Sequence, residues 1–391
     1  MSDNYFFNGY ISEQVLRRYL SRSISYPIYD AGKKAEDEVA TIFALGAKYI
    51  ARAVMVWYAG GFELGRAEDY KQQIAKAHEA DPDIVFEACL FETTSKAVEE
   101  IPIPEYVFRA FGLEPEERCF SYEAMLYPDG RYVDRWGRDG SVPDMTRLET
   151  QLFMYWHATF YIDAGFEGLH WGQVYLMSET DTDLSAWTKV LNIVREYART
   201  HARRGMVLNN SHTHGQIGSD GRLLFDFHAW PVRMVTPKDA YPHAPTKQDP
   251  QWVEIGVGIR DSIYRKSLGG KTHSGWSCDS LPYVVELDNY GGMYSLENAN
   301  RPGIDDWPWG YDEVSWFANQ DASFRRDFID YAYKHIRELD ENGYFEMTGV
   351  RGATYYFPDT DTKADYWYYL TDMGDSATVK AVWDKYAAEP D

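Results

Sequence analysis

Short apolar runs alternate along the chain with longer segments in which apolar residues recur every three or four positions. Ala35–Leu45 has this helical spacing, Gly46 ends it, and the apolar run Ala47–Trp57 that follows predicts a strand. The same order returns as the helix Arg66–Ala80 and the strand Ile84–Phe91. Helices and strands that alternate in this way predict parallel strands joined by helical crossovers.

Six further runs complete a set of eight predicted strands: Tyr5–Ile11, Phe166–Gln173, Met206–Leu208, Leu223–Phe227, Tyr283–Leu287 and Gly343–Thr348. The other predicted helices are Glu13–Ser23, capped by Ser12, then Met145–Ala164, Leu184–Arg203, Asn319–Leu339 and Ser376–Ala387. This alternation predicts an α/β fold, a (β/α)8 TIM barrel formed by residues 1–391 as a single domain. An open doubly wound sheet is the alternative. It normally carries a glycine-rich turn after its first strand, and FFNGYISEQ has a single glycine.

Two long segments interrupt the alternation. Thr93–Asp144 follows the third predicted strand, and Pro231–Leu281 follows the sixth. Insertions of this length usually build a binding surface. We expect both to lie on the rim formed by the carboxyl ends of the strands, as the walls of a cleft. Within the first segment, Pro128-Asp129-Gly130 between alternating residues predicts a small hairpin.

The net charge of the chain makes two classes of partner, nucleic acids and membranes, unfavourable. The chain of 391 residues has a net charge of −22, which repels phosphate backbones and anionic membranes, so we expect neither nucleic acid nor a membrane as a partner. Cys89, Cys119 and Cys278 lie far apart and lack metal-type spacing, so a disulfide scaffold is not expected. The absence of a signal pattern or a long apolar stretch predicts a soluble, cytoplasmic protein; a secreted protein without its signal is the alternative. The sequence does not determine the oligomeric state.

Aromatic residues favour a carbohydrate substrate. They make up 16% of the chain, with 31 Tyr and 13 Trp, and many lie outside the apolar runs. Tyr and Trp combine an apolar face with a polar group, and sugar rings offer the same mixture of surfaces. Capping of a large core or of an oligomer interface is the alternative. Substrate-binding aromatic residues are predicted at Trp57, Trp230, Trp307 and Trp309.

Polar and acidic residues follow or close several predicted strands. Since the carboxyl ends of barrel strands meet on one rim, we expect these groups to form a site there. The candidate catalytic carboxylates are Glu92 after strand three, Asp226 in strand six, and Glu286 and Asp288 at strand seven. The candidate polar residues for substrate binding are His170, Gln173, Asn209, Asn210, His212 and His228. Arg52, within strand two, is expected to pair with a buried carboxylate.

These features resemble, at the level of architecture, barrel-type glycoside hydrolases. The resemblance covers the whole chain and rests on acidic strand ends, aromatic loops and acidic composition, with no specific motif. It implies hydrolysis of an oligo- or polysaccharide by two carboxyl groups, about 5–5.5 Å apart for retention or about 6.5–9.5 Å apart for inversion. One departure is Gly172-Gln173, which stands where many such barrels close strand four with Asn-Glu.

Two other functions stay open. A metal-dependent hydrolase or isomerase would use His212 and His214, together with histidine and carboxylate ligands from neighbouring strand ends. A non-catalytic carbohydrate-binding barrel would bind sugar without turnover. We expect no cofactor, because GxGxxG and GxxxxGKS/T are absent and the His-x-His pair lies on a loop rich in Gly and Ser. The GxSxG turn of serine hydrolases is absent as well.

Overall fold

The computed structural model describes residues 3–28, 35–57, 59, 64–213, 216–232, 234–235, 252–253, 267–287, 313–318, 320–357 and 362–387. The strands are β1 Ser23–Ser25, β2 Tyr49–Val54, β3 Val85–Cys89, β4 Thr94–Ser95, β5 Gly140–Ser141, β6 Gly168–His170, β7 Leu208–Ser211, β8 Phe227–Pro231, β9 Met234–Val235, β10 Trp252–Val253, β11 Gly270–Lys271, β12 Ser277–Cys278, β13 Tyr283–Glu286, β14 Gly343–Phe345, β15 Met347–Thr348, β16 Val350–Phe357 and β17 Thr362–Tyr369. The α-helices are α1 Glu13–Ser21, α2 Ala35–Leu45, α3 Ala67–Ala80, α4 Glu105–Ala110, α5 Tyr122–Met125, α6 Leu148–Asp163, α7 Val174–Met177, α8 Ser185–His201, α9 Glu313–Ala318, α10 Ala322–Leu339 and α11 Ser376–Tyr386.

The main sheet contains nine strands in the order β14-β13-β8-β7-β6-β3-β2-β1-β15. Every ladder of this sheet with a described register is parallel. The two outermost strands, β14 and β15, are separated in the chain by Glu346 alone; β14 pairs with β13, and β15 pairs with β1. The sheet is therefore nearly closed and barrel-like, which confirms the predicted α/β fold. The number of eight β/α units and the placement of the two long segments stay predictions.

The chain divides into two compact units. The first unit comprises Met1–Leu16, Ala51–His228 and Leu268–Leu281, and it contains β3, β6 and β7. The second unit comprises Arg17–Ile50, Ala229–Ser267 and Pro282–Asp391, and it contains β1, β13, β14 and β15. That the chain is one domain stays a prediction.

The predicted first strand, Tyr5–Ile11, is wrong. The chain turns at Gly9, whose φ of +70° is incompatible with an extended strand. Ile11 is buried, but it bonds to a loop of the first unit instead of to a sheet: its N–H donates to Ser274 Oγ (3.1 Å) and its carbonyl accepts from Trp276 Nε1 (3.0 Å). The first strand is instead β1, which begins at Ser23, the last residue of the helix predicted for Glu13–Ser23.

The predicted sixth strand, Leu223–Phe227, is displaced toward the carboxyl terminus. The observed strand is β8, which begins at Phe227. Leu223 is buried, yet its N–H donates to the carbonyl of Lys271 in β11 (2.8 Å), so the start of this apolar run bonds outside the main sheet. Asp226 therefore precedes β8 and does not close it.

Several other elements match their predictions. The Ser12 Oγ accepts the N–H of Val15 (3.3 Å), so Ser12 caps α1. Helix α2 has the predicted bounds, and Gly46, with φ of +78°, follows it. In the first long segment the chain turns at Gly130, but the antiparallel pair found there is β4 with β5. The antiparallel hairpin β16–β17 was not predicted. No described helix is long and apolar enough to cross a membrane.

Candidate functional site

Three neighbouring strands of the first unit place polar side chains at one level. Cys89 of β3 is in register with His170 of β6, and His170 is in register with Asn210 of β7. Consecutive residues of a strand point to opposite faces. The contacts agree with this rule, because His170 contacts Asn210, whereas Trp171 Nε1 donates to Asn209 Oδ1 (3.0 Å). His170 and Asn210 therefore share one face of the sheet, and Asn209 lies on the other.

On the face shared by His170 and Asn210, each hydrogen bond is donated toward the Glu87 carboxylate. The Glu87 carboxylate accepts the side-chain N–H of Asn210 and, through Oε1, the backbone N–H of Arg52 (3.1 Å). Asn210 Oδ1 lies 2.6 Å from His170 Nδ1. Because the Asn210 amide nitrogen donates to a carboxylate, its oxygen has to accept, and Nδ1 of His170 carries the proton. Neutral His170 is thereby held as the Nδ1–H tautomer.

Arg52 determines the protonation of a second imidazole. Its Nη2 lies 2.8 Å from Nε2 of His212. A guanidinium only donates, so Nε2 of His212 accepts and the ring is neutral, with its proton on Nδ1. The rings of His212 and His170 are adjacent, with centroids 4.6 Å apart. We call Arg52, Glu87, His170, Asn210 and His212 the polar network.

Two non-glycine residues have left-handed backbone here: Arg52, a member of the polar network, and Phe91, whose ring lies beside His170. The φ angles are +55° at Arg52, inside β2, and +54° at Phe91, just beyond β3. Each residue in this region costs on the order of 1–3 kcal/mol and persists only where its surroundings fix it. At Arg52 the conformation accompanies the bond from its N–H to Glu87, and Phe91 directly precedes Glu92. Such strain is typical of functional sites.

Glu92 follows the carboxyl end of β3 and is buried, with 2% of its surface exposed. Its Oε2 accepts the backbone N–H of Gln173 (2.8 Å). Gly172 permits this approach, because a Cβ at that position would lie 2.0 Å from Glu92 Oε2. The Gly172-Gln173 pair, which departs from the common glycosidase pattern, thus holds the Glu92 carboxylate.

Three aromatic side chains lie beside Glu92, and we call them the aromatic wall: Trp57, Phe91 and Trp136. The ring centroids of Trp57 lie 4.8 Å from Phe91 and 5.4 Å from Trp136. Trp136 Nε1 donates to the backbone carbonyl of Glu92 (3.3 Å). Trp57 and Trp136 are partly exposed, so they offer apolar ring surface, which Trp136 places at the backbone of Glu92.

Asp226 is not brought together with the polar network. Its Oδ2 accepts the backbone N–H of Asn209 (2.8 Å), whose side chain lies on the other face of the sheet. Burial raises the pKa of Asp226, and the charge of Arg195, in α8, acts in the opposite direction. His228, two residues along, is buried and shares the face of Asp226 by strand alternation.

The remaining predicted residues lie in the second unit or outside the described part of the chain. Glu286 and Trp230 are buried in the second unit. Asp288, Trp307, Trp309 and His214 lie outside the described residues. The functional roles assigned to all of them stay predictions.

Two residues of the site were missed by the sequence analysis. Glu87 lies inside the apolar run Ile84–Phe91, and a charge in such a run was a signal that it has a specific partner. Trp136 was one aromatic residue among many in a long segment, and nothing in its neighbourhood marked it. Arg52, expected to pair with a buried carboxylate, donates its backbone N–H to the buried Glu87 and contacts His212 through Nη2.

Among the described residues, no group of three or more His, Cys, Asp and Glu side chains is arranged to hold a metal ion. No protein-family model matches the chain, and no curated protein matches it in sequence. The function therefore has to be argued from the geometry of the site.

Proposed function

We propose that this chain is a glycoside hydrolase that acts on an oligo- or polysaccharide. One observation carries the proposal: the buried Glu92 carboxylate is held by a backbone N–H, and Trp136 of the aromatic wall bonds to the backbone carbonyl of the same residue. Aromatic rings stack on sugar rings, and a carboxyl group shielded from water is suited to exchange a proton with a glycosidic oxygen.

We assign three roles to residues of the first unit: proton transfer, binding of the sugar ring and orientation of the substrate. Glu92 acts as the acid or base at the scissile bond, and Trp57 and Trp136 bind the sugar ring. The polar network orients the substrate through groups whose protonation is fixed. Fixed donors and acceptors are favourable because they need no reorganisation during the reaction.

A glycosidase needs a second carboxyl group. Asp226, the other predicted carboxylate of the first unit, does not fit this role, and Glu286 and Asp288 stay candidates from the sequence alone. Asp226 is occupied by Asn209 on the other face of the sheet and precedes its strand. Active sites of barrel enzymes lie at the carboxyl ends of strands, which is where Glu286 and Asp288 come in the sequence.

The test is to incubate the protein with a panel of polysaccharides and arylglycosides while following the release of reducing ends. We expect turnover of at least one substrate, and a loss of about 10²–10⁴-fold in Glu92→Gln, the range for removal of a general acid or base. The matched control is Glu149→Gln, which removes a buried carboxylate that pairs with Arg118 (2.7 Å). Melting temperatures show whether each variant is folded.

The same assay separates the other two functions. Binding of sugars without turnover would identify a carbohydrate-binding protein and contradict the proposal. A stoichiometric transition metal in the purified protein, with turnover that chelators abolish, would contradict a metal-free glycosidase. Full turnover in folded Glu92→Gln would remove Glu92 from the mechanism.

A further inference from the structure

Residues 126–139, which join α5 to β5, carry one tryptophan of the aromatic wall and a cation that lies against it. The tryptophan is Trp136, which bonds to the backbone carbonyl of Glu92. The cation is Arg135, whose Cζ lies 5.2 Å from the centre of the Trp136 ring and 5.4 Å from the centre of the Tyr132 ring. A positive charge is therefore held beside a ring to which we assign binding of the sugar.

Arg135 differs from the other arginines of this segment because it has no carboxylate partner. Arg131 pairs with Asp129 (2.5 Å), and Arg138 lies 3.8 Å from Asp139. Within the described part of the chain, Arg135 forms no ion pair, and its guanidinium contacts two aromatic rings instead. A ring face attracts a cation without neutralising it, so the charge of Arg135 stays available to an anion.

The backbone around Arg135 is strained and fixed by hydrogen bonds. Tyr132 and Asp134 have left-handed φ angles of +61° and +56°, which are unfavourable for residues other than glycine. The Asp134 carboxylate accepts the backbone N–H of Asp139 (2.8 Å), and the Asp134 N–H donates to Ser141 Oγ (2.9 Å). The acidic neighbour of Arg135 is thus bonded to backbone. A segment fixed in this way lowers the entropic cost of binding a ligand at Arg135.

We propose, on the basis of the glycosidase function above, that the sugar bound at the aromatic wall is a uronate whose carboxylate pairs with Arg135. A guanidinium and a carboxylate are both planar and can form two parallel N–H···O bonds. In a hexuronate the carboxylate is attached directly to the sugar ring. A ring that stacks on tryptophan therefore brings its carboxylate to the cation beside that tryptophan.

The acidity of the chain makes this cation necessary for binding of an acidic sugar. The net charge of −22 repels anions at long range. Salt screens this repulsion beyond about 8–10 Å, whereas a bond to Arg135 acts at contact distance. The preference for a uronate over a neutral sugar thus depends on Arg135.

Isothermal titration calorimetry of the whole protein with nitrophenyl thioglycosides tests the proposal. The sulfur-linked bond resists hydrolysis, so binding is measured without turnover. The ligands are the thioglycosides of glucuronate and galacturonate in both anomeric forms, each compared with the glucoside or galactoside that carries a hydroxymethyl group in place of the carboxylate. We expect at least one uronate to bind about tenfold or more tightly than its neutral partner, the gain for a charge-assisted pair.

Three variants assign this preference to one side chain. Arg135→Gln should reduce it to about twofold or less, with little change in affinity for the neutral sugar. Arg135→Lys keeps the charge but loses the two parallel bonds, so it should retain part of the preference. The matched control is Arg138→Gln, which removes a cation from the same segment at a side chain that is 94% exposed, and it should keep the wild-type preference. A merely structural role of Arg135 would instead weaken both ligands of a pair equally.

Equal binding of the uronate and the neutral sugar in every pair would overturn the proposal, as would a preference that Arg135→Gln leaves unchanged or no uronate binding at millimolar concentration. Tighter binding of a neutral sugar that carries a sulfate ester would overturn the assignment to a carboxylate. A uronate preference without turnover of any glycan would support this site and contradict the glycosidase. Turnover of neutral glycans without a uronate preference would do the reverse.

Discussion

Each end of strand β6 carries a polar cluster around a buried carboxylate, and the clusters differ in how their charges are satisfied. At the amino end, the Glu167 carboxylate accepts from Arg203 (2.8 Å) and lies 3.3 Å from Arg204 Nε. Arg204 also donates to the carbonyls of Tyr5 (2.9 Å) and Pro82 (2.8 Å). At the carboxyl end, Glu87 accepts from an amide and a backbone N–H, and the bonds continue to His170.

We infer from this difference that the amino-end cluster serves stability and the carboxyl-end network serves function. The amino-end cluster ties a carboxylate to two arginines. Nearby His78 is neutral at physiological pH, because burial and the charge of Arg203 lower its pKa to about 4. The carboxyl-end network instead holds neutral imidazoles in fixed tautomers. Beside them lie the left-handed backbone of Arg52 and Phe91 and the position of Gly172, which has no room for a larger residue. Removing one partner of a buried ion-pair cluster destabilises the fold, whereas fixed donors and acceptors are what a binding site needs.

The largest effect on stability at the carboxyl end is expected from Gly172→Ala. The new Cβ would lie 2.0 Å from Glu92 Oε2, and the φ of +68° is unfavourable for alanine. We expect a loss of about 2–4 kcal/mol in the free energy of unfolding, measured by chemical denaturation. The control Gly130→Ala has a φ of +75° with open space around its Cβ, so it should lose only about 1–2 kcal/mol. Equal losses in both variants would show that the contact with Glu92 is unimportant.

The close approach of Gly172 and Glu92 is an example of a contact between distant residues that local sequence patterns do not predict. Helix α2 and most strands of the main sheet follow from local apolar spacing, so their positions were predictable. The register that places Glu87 against Asn210 joins residues 123 positions apart, and no local pattern encodes it. Strand β8 was displaced for a related reason, because the buried Leu223 run bonds to Lys271, which is also distant in the chain.

The fixed tautomers give a spectroscopic test of the carboxyl-end network. In ¹⁵N NMR spectra of the histidine rings at mildly alkaline pH, we expect Nδ1 to be protonated and Nε2 unprotonated in both His170 and His212. His170→Gln and His212→Gln would assign the two sets of signals. An Nε2–H tautomer at His170 would contradict the direction of the bonds from Glu87.

The smallest expected effect is a pH-dependent change in the free energy of unfolding caused by Asp226, which lies outside the polar network. Burial raises its pKa in the folded chain, so the folded state binds this proton more tightly than the unfolded state does. The resulting stability is present below the ordinary Asp pKa of 3.8 and is lost as the pH rises through the folded pKa. Asp226→Asn keeps an acceptor for Asn209 and cannot ionise. Its unfolding free energy relative to the wild type should therefore increase as the pH is raised from about 4. An unchanged difference across that range would show that Asp226 does not titrate as its burial implies.

The most direct test of the contrast between the two ends of β6 is turnover per folded molecule in Glu87→Gln and Glu167→Gln, measured on a substrate found in the glycan panel. Each variant replaces one buried carboxylate by its amide. Glu87→Gln leaves one acceptor oxygen for two donors, the Arg52 N–H and the Asn210 amide, and adds an NH2 group that no longer fixes the orientation of Asn210 and His170. Turnover should fall about tenfold or more, a change in barrier of about 1.4 kcal/mol. Glu167→Gln should lose about 3–5 kcal/mol of stability because it removes the carboxylate charge beside the buried Arg204, and its folded fraction should retain wild-type turnover. Wild-type turnover in folded Glu87→Gln, or an equal loss of turnover in both variants, would contradict the account.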